Sequence, residues 1–228
     1  MTTNTEHFGG SPLALGAERN RVLRNTYALL ALSMIPTVLG AWVGVATGIT
    51  SAMSPMISLV VFLAGAFGFM FAIQRNANSG LGVALLLGFT FFMGLMLARL
   101  LSVVLSMGNG ASLVMMAFAG TSAAFFAMSL LSTVVKRDLS GFSRFLFIGA
   151  IGILVVGIVN VFVQSSALMM TLAVLAILVF SAFILVDLKR VRDGEETNYV
   201  MATLGVYLSL YNVFQSLLAM FGILGGED

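Results

Sequence analysis

Seven apolar segments, each long enough to cross a bilayer, constrain this chain more than any other feature. A membrane-spanning helix needs about 20 mostly apolar residues. The segments are Tyr27–Gly48, Pro55–Ile73, Leu81–Met107, Ala111–Val135, Phe145–Gln164, Ala167–Leu188 and Tyr199–Leu224. Short polar breaks such as "QRNANSG", "MGNG" and "KRDLSGFSR" separate them. The weakest break is "VQSSAL", between the fifth and sixth. A single helix through it would run for about 44 residues, far beyond a bilayer. Hydrocarbon offers the backbone no hydrogen-bond partner, so these segments are expected to be helices and not strands. Composition agrees: the chain is 60% hydrophobic and 9% charged, where soluble domains carry about 25% charged residues.

Several chemistries are excluded at once. There is no cysteine, so there is no disulfide, thiolate nucleophile or thiolate metal site. The single histidine, His7, lies in the polar N-terminal stretch, which argues against zinc sites and histidine-based triads. No acidic pair lies within the spans to support hydrolysis. The expected protein is not an enzyme and has no resident cofactor.

The charges report topology. Arg19, Arg21 and Arg24 precede span one, and Arg75 follows span two. Lys136, Arg137 and Arg144 lie between spans four and five, and Lys189, Arg190 and Arg192 between six and seven. The three other connections carry no Lys or Arg, and the chain ends acidic at "GGED". Ten of the eleven basic residues therefore fall on one side. That bias places the N-terminus in the cytoplasm and, with seven spans, the C-terminus outside. It also accounts for the pI of about 9.3 without nucleic acid as a partner. Residues 1–26 lack an apolar core, so no cleavable signal is expected there. The organisation read from this is a flexible cytoplasmic tail (1–26), a transmembrane bundle (27–224) and a short external tail (225–228).

Small residues recur every fourth position at Gly40, Gly44 and Gly48 in span one, and at Ala119, Ala123 and Ala127 in span four. Such stripes let helix backbones approach closely. Gly149 and Gly152 suggest the same for span five. Span seven differs. Tyr207, Tyr211 and Gln215 form one polar stripe, and Ser209, Asn212 and Ser216 a second beside it. A helix polar over so much of its circumference should not face lipid broadly, so it is expected inside the bundle with the other six around it. Its polar groups either join helices or line a polar path.

Two charges within the spans need an account. Arg99 lies towards the outer end of span three, where it either snorkels to the interface or belongs to an outer vestibule with Asn160 and Gln164. Asp187 ends span six within "AFILVDLKRVRDGEETNYV". A carboxylate is disfavoured at a helix C-terminus, which already carries partial negative charge. Either it pairs with Lys189, Arg190, Arg75 or Arg144, or it is a titrating group that senses protons or binds a cation. Beyond it, Glu195 and Glu196 solvate their loop or pair with Arg192, and Thr197 or Asn198 caps span seven.

The stretches "RVLRNTYALLALS", "GIVNVFVQSSAL" and "GEETNYVMATLGVYLSLYNVFQSLLAMFG" resemble the bacterial inner-membrane branch of the Bax-inhibitor (transmembrane Bax inhibitor motif) family. The resemblance runs from about Arg21 to Gly222 and implies a seven-helix bundle with its last helix central. It implies a bacterial inner-membrane protein that binds the membrane-anchored AAA protease FtsH through its N-terminal tail and restrains it. Other members are pH-sensitive calcium leak channels, in which an aspartate late in span six shares a proton with one in span seven. The first falls on Asp187. The second falls on Ser209, within "YLSLYN", so half of that dyad is missing here. The resemblance thus implies two functions, FtsH modulation and a cation leak, the second weakened by Ser209.

Overall fold

The computed structural model describes residues 12–225. Seven helices follow in order: α1 (Pro12–Thr47), α2 (Pro55–Asn76), α3 (Gly80–Leu105), α4 (Gly110–Val134), α5 (Ser140–Val163), α6 (Ser166–Asp193) and α7 (Tyr199–Leu224). Each is long and apolar enough to cross a membrane, and no strand occurs among the described residues. Every expected span is present as one helix. The largest difference is at α1, where residues 12–26, read from sequence as tail, continue the first helix. Val22 explains part of the extension, because it packs against Val191 of α6 and Ala202 of α7. Residues 1–11 and 226–228, the rest of the two expected tails, lie outside the described residues.

The ends of the helices follow from local chemistry. Ser54 caps α2, accepting from the Ile57 N–H at 3.3 Å, with Pro55 at the first helical position. Asn198 caps α7, accepting from Val200 and Met201 at 2.9 and 3.0 Å, and so is the capping residue of the two expected there. Glycine in the left-handed region ends α6 at Gly194 (φ 81°). The weak break in the sequence is real and only two residues long. Gln164 turns the chain at φ 54°, and Ser165 then caps α6 by accepting from the Leu168 N–H at 3.2 Å. Asn160 Oδ1 accepts from the Ser165 N–H at 3.0 Å and holds the turn from below. Gln164 is the single non-glycine residue with positive φ among the described residues. Gln164→Gly should therefore raise stability by about 1 kcal/mol, since a side chain costs about that much in this region. A melting curve in detergent measures it.

Glycines set the closest approach in the bundle, between α1 and α3. A Cβ on Gly40 would fall on the Phe91 carbonyl oxygen, and one on Gly94 would fall on the Thr37 carbonyl oxygen. Gly44 rests on Ala98 and Leu95. Two members of the expected stripe thus pack against backbone, while the third, Gly48 (φ 65°), follows the end of α1. The alanine stripe of α4 behaves otherwise: Ala119, Ala123 and Ala127 are exposed, and Leu113, Ala117 and Thr121 form the buried face. Two residues separate Ala117 from Ala119, which is about 200° around a helix. Gly152 likewise meets nothing within 4 Å, and Gly149 makes ordinary contact with Val179 at 3.6 Å.

Thirteen residues of α7 are buried, against nine in α3 and one, Leu146, in α5. Helix α7 packs against α1, α2, α3, α4 and α6. It does not reach α5, which lies behind α6 and touches α6 and α2. Five helices rather than six therefore flank α7, and α5 presents a nearly continuous apolar surface outward, with Phe145, Phe147 and Ile148 all exposed.

Candidate functional site

The connection between α6 and α7 is short, so the two helices run antiparallel and pack along their length. Asp187 lies six residues before the end of α6 at Asp193, and Gly205 six residues after the start of α7 at Tyr199. Both are therefore about 9 Å from the connection. Having no side chain, Gly205 lets the carboxylate approach, and a Cβ there would sit 3.1 Å from Asp187 Oδ2. Beside this contact is a cavity of ≈ 210 Å³ lined by Asp187, Arg190, Glu196, Met201, Gly205 and Leu208, among others.

No ion pair or hydrogen bond of Asp187 occurs among the described residues, so the pairing expected with Lys189, Arg190, Arg75 or Arg144 is not formed. The cations have other partners. Lys189 pairs with Asp193, one helical turn on. Arg190 Nε lies 3.9 Å from Glu195. Arg192 donates to Ser132 Oγ at 3.0 Å and so ties α6 to α4, and the pairing with a loop glutamate, one of the two readings of the sequence, is not formed among the described residues. Glu196 instead accepts from the Asn198 N–H at 2.8 Å. Ser209 is buried, but it lies about 6 Å deeper than Gly205, one helical turn along α7. It does not line the cavity, and no hydrogen bond joins it to Asp187 among the described residues.

The other candidate residues are engaged separately. The Tyr207 hydroxyl lies 2.9 Å from Thr37 Oγ1 of α1 and donates to the Thr90 carbonyl of α3 at 3.4 Å. Tyr211 donates to the Met93 carbonyl of α3 at 3.2 Å. Half-buried Asn212 donates to Leu208 of its own helix at 2.8 Å. Gln215 is exposed, which corrects its placement on an inner stripe. Residues four apart advance about 40° around a helix, so two such steps carry Gln215 about 80° from Tyr207. Arg99 donates to the Met53 carbonyl and to Ser58 Oγ, both at 3.4 Å, and thereby fixes the α1–α2 connection. Asn160 is used in the α5–α6 turn. Arg99 and Asn160 thus hold different connections and share no hydrogen bond among the described residues.

The helix ends that carry the ten basic residues meet at one end of the bundle. Asn198 at the start of α7 donates to the Ala77 carbonyl after α2 at 3.0 Å, and Gly194 rests against Arg19 of α1. Asp138, in the α4–α5 connection, accepts from the Ser140 N–H and hydroxyl, both at 2.8 Å. The Ser140 N–H, then its hydroxyl, then Lys189 and Arg144 hold this carboxyl below the usual range. A lowered folded-state value means stability present above the unfolded value of about 3.9 and lost as pH falls below it. Asp138→Asn should weaken the start of α5, read as faster amide exchange at Ser140 at neutral pH. At pH 3 the difference from the parent chain should shrink.

Gly205 was not singled out in the sequence. Counting residues inward from the α6–α7 connection would have found Gly205, since a helical hairpin places equal counts at equal depth. A group of three or more His, Cys, Asp or Glu able to hold a metal ion is absent among the described residues.

These features define an all-α, multi-pass integral membrane protein with a carboxylate-lined cavity at its basic end. The sequence profile described as "Inhibitor of apoptosis-promoting Bax1" matches residues 19–226, and the chain belongs to that family. It is similar to an uncharacterized membrane protein of Vibrio cholerae, 37% identical over 219 residues that cover 96% of each chain. It is also similar to the Modulator of FtsH protease YccA of Escherichia coli K12, 36% identical over 203 residues covering 89% of this chain and 90% of that one. The counterpart in a second Escherichia coli strain is named Inner membrane protein YccA, at the same identity. The protein is a multi-pass component of the bacterial inner membrane.

Proposed function

We propose that this protein binds and modulates FtsH, the membrane-anchored AAA protease. One observation carries the reading: similarity over 203 residues to a protein named as a modulator of FtsH protease, matched across nearly its whole length. The proposed topology puts the basic end of the bundle, with the N-terminus, in the cytoplasm. Residues 1–11 are then the segment offered to the protease. The deletion stops before Pro12, the first described residue of α1, and keeps Pro12–Thr47 in place. The intact chain should co-purify with FtsH from detergent-solubilised membranes and slow its degradation of a membrane substrate. The chain lacking residues 1–11 should do neither. Failure of the intact chain to retain FtsH would remove the proposal.

A second reading is a cation leak, calcium first among the candidates. The unpaired Asp187 carboxylate beside a ≈ 210 Å³ cavity favours it, since that is room for several waters. The protein holds no cofactor in this reading, and calcium is cargo. Vesicles loaded with a calcium dye should leak in the presence of the protein, and Asp187→Asn should reduce the leak severalfold. Equal leak in both between pH 6 and pH 8 would exclude Asp187 from the pathway. With Ser209 in place of a second carboxylate, Ser209→Asp is the variant expected to add pH dependence.

A further inference from the structure

A second cavity, of ≈ 300 Å³, opens between the start of α5 and the end of α6. Arg144, Lys189 and Arg190 line it, with Ser140 and Ser143 between them and one carboxylate, Glu195. Lys189 is paired with Asp193 and Arg190 lies 3.9 Å from Glu195, which leaves Arg144 as the lining cation with no ion pair among the described residues. Lys189 is 7% exposed, and its ammonium has three donors, of which one is turned to Asp193. Asp138 takes the Ser140 amide and hydroxyl, and with Glu195 and Asp193 it is one of three carboxylates that compete for the cations here. The N-terminal end of α5 carries partial positive charge, part of which is already answered by Asp138 at the Ser140 N–H.

We propose that this cavity holds the phosphate group of an anionic phospholipid. A phosphate matches the fork of Arg144, which forms no ion pair among the described residues, and the hydroxyl of Ser143 beside it. The lipid, and not a free phosphate, is favoured by what flanks the site. Phe142 and Phe145 lie on the same turn of α5 as Ser143 and Arg144, and are 41% and 70% exposed. Beyond them, Ile148 and Ile151 continue an outward apolar face. A headgroup in the cavity therefore leaves its acyl chains along α5, a helix with one buried residue. The site lies at the basic end of the bundle, where juxtamembrane cations attract anionic lipid. Arg190 lines both cavities, so a lipid phosphate would share a wall with the Asp187 site.

The test uses the full chain in neutral detergent, with retained lipid counted by native mass spectrometry. Phosphatidylglycerol should be retained in preference to phosphatidylcholine. Arg144→Gln, at an exposed position that tolerates the change, should weaken phosphatidylglycerol about fivefold. Arg75→Gln, on the same end of the bundle but outside the cavity, should not weaken it. Phe145→Ser should weaken the lipid, and millimolar inorganic phosphate should fail to displace it. Equal retention of the two lipids, or equal effects of Arg144→Gln and Arg75→Gln, would overturn the site. Inorganic phosphate that displaces the lipid, with Phe145→Ser without effect, would overturn the lipid as its occupant.

Discussion

Gly94→Val should prevent α1 and α3 from docking and destabilise the protein by about 3 kcal/mol or more. The reason is geometric. The Cβ of any residue at this position falls on the Thr37 carbonyl oxygen, and on the facing helix Gly40 stands in the same relation to Phe91. The obstacle is backbone in both cases, so no rotamer change relieves it and the helices must separate. Separation would also draw Thr37 away from Tyr207, 2.9 Å from it on α7. Gly152→Ala is the matched control, because a Cβ there meets nothing within 4 Å. It should be neutral, or stabilising by up to about 1 kcal/mol through helix propensity. Thermal denaturation in detergent, followed by circular dichroism, compares the two. A Gly94→Val protein that melts with the parent would show that α1 and α3 are not packed through glycine.

The second large effect is expected at Tyr207. This side chain is 1% exposed, packs edge-on to Phe89 with ring centroids 6.1 Å apart, and lies 6.3 Å from the Tyr211 ring. Tyr207→Ala should cost about 3–5 kcal/mol, as other large aromatic truncations in cores do. Tyr207→Phe retains the ring and loses only the hydroxyl shared with Thr37 and Thr90, so it should cost about 1 kcal/mol. A large gap between the two variants would identify Tyr207 as a packing residue that also joins α7 to α1 and α3. If Tyr207→Phe costs as much as Tyr207→Ala, the hydroxyl and not the ring holds the helices.

Asp187 shows how far the sequence reading reached. Its apolar setting and its place at the end of span six could be read directly, because both depend on local composition. Its freedom from ion pairing could not. Lys189 and Arg190, both read as candidate partners, and Arg192 all follow within five residues, and proximity along the chain made pairing one of the two readings. The helix turns them towards Asp193, Glu195 and Ser132 instead. Ser209 was placed opposite Asp187 by resemblance, whereas the depth of each residue from the α6–α7 connection sets Gly205 there.

The sequence by itself determined the seven spans, their helical character, the gathering of ten basic residues at alternate connections, and the polar character of the last helix. Those properties answer to the thickness and polarity of a bilayer, which act on each segment separately. The tertiary structure alone decided which face of each helix turns inward. In water, hydrophobicity marks the buried face. In a membrane, lipid and core are equally apolar, so the pattern carries little of that information. The alanines of α4 therefore read as an interface yet point outward, while the glycines of α1 read the same way and pack against α3. Facing backbone atoms, not the stripe itself, make the difference.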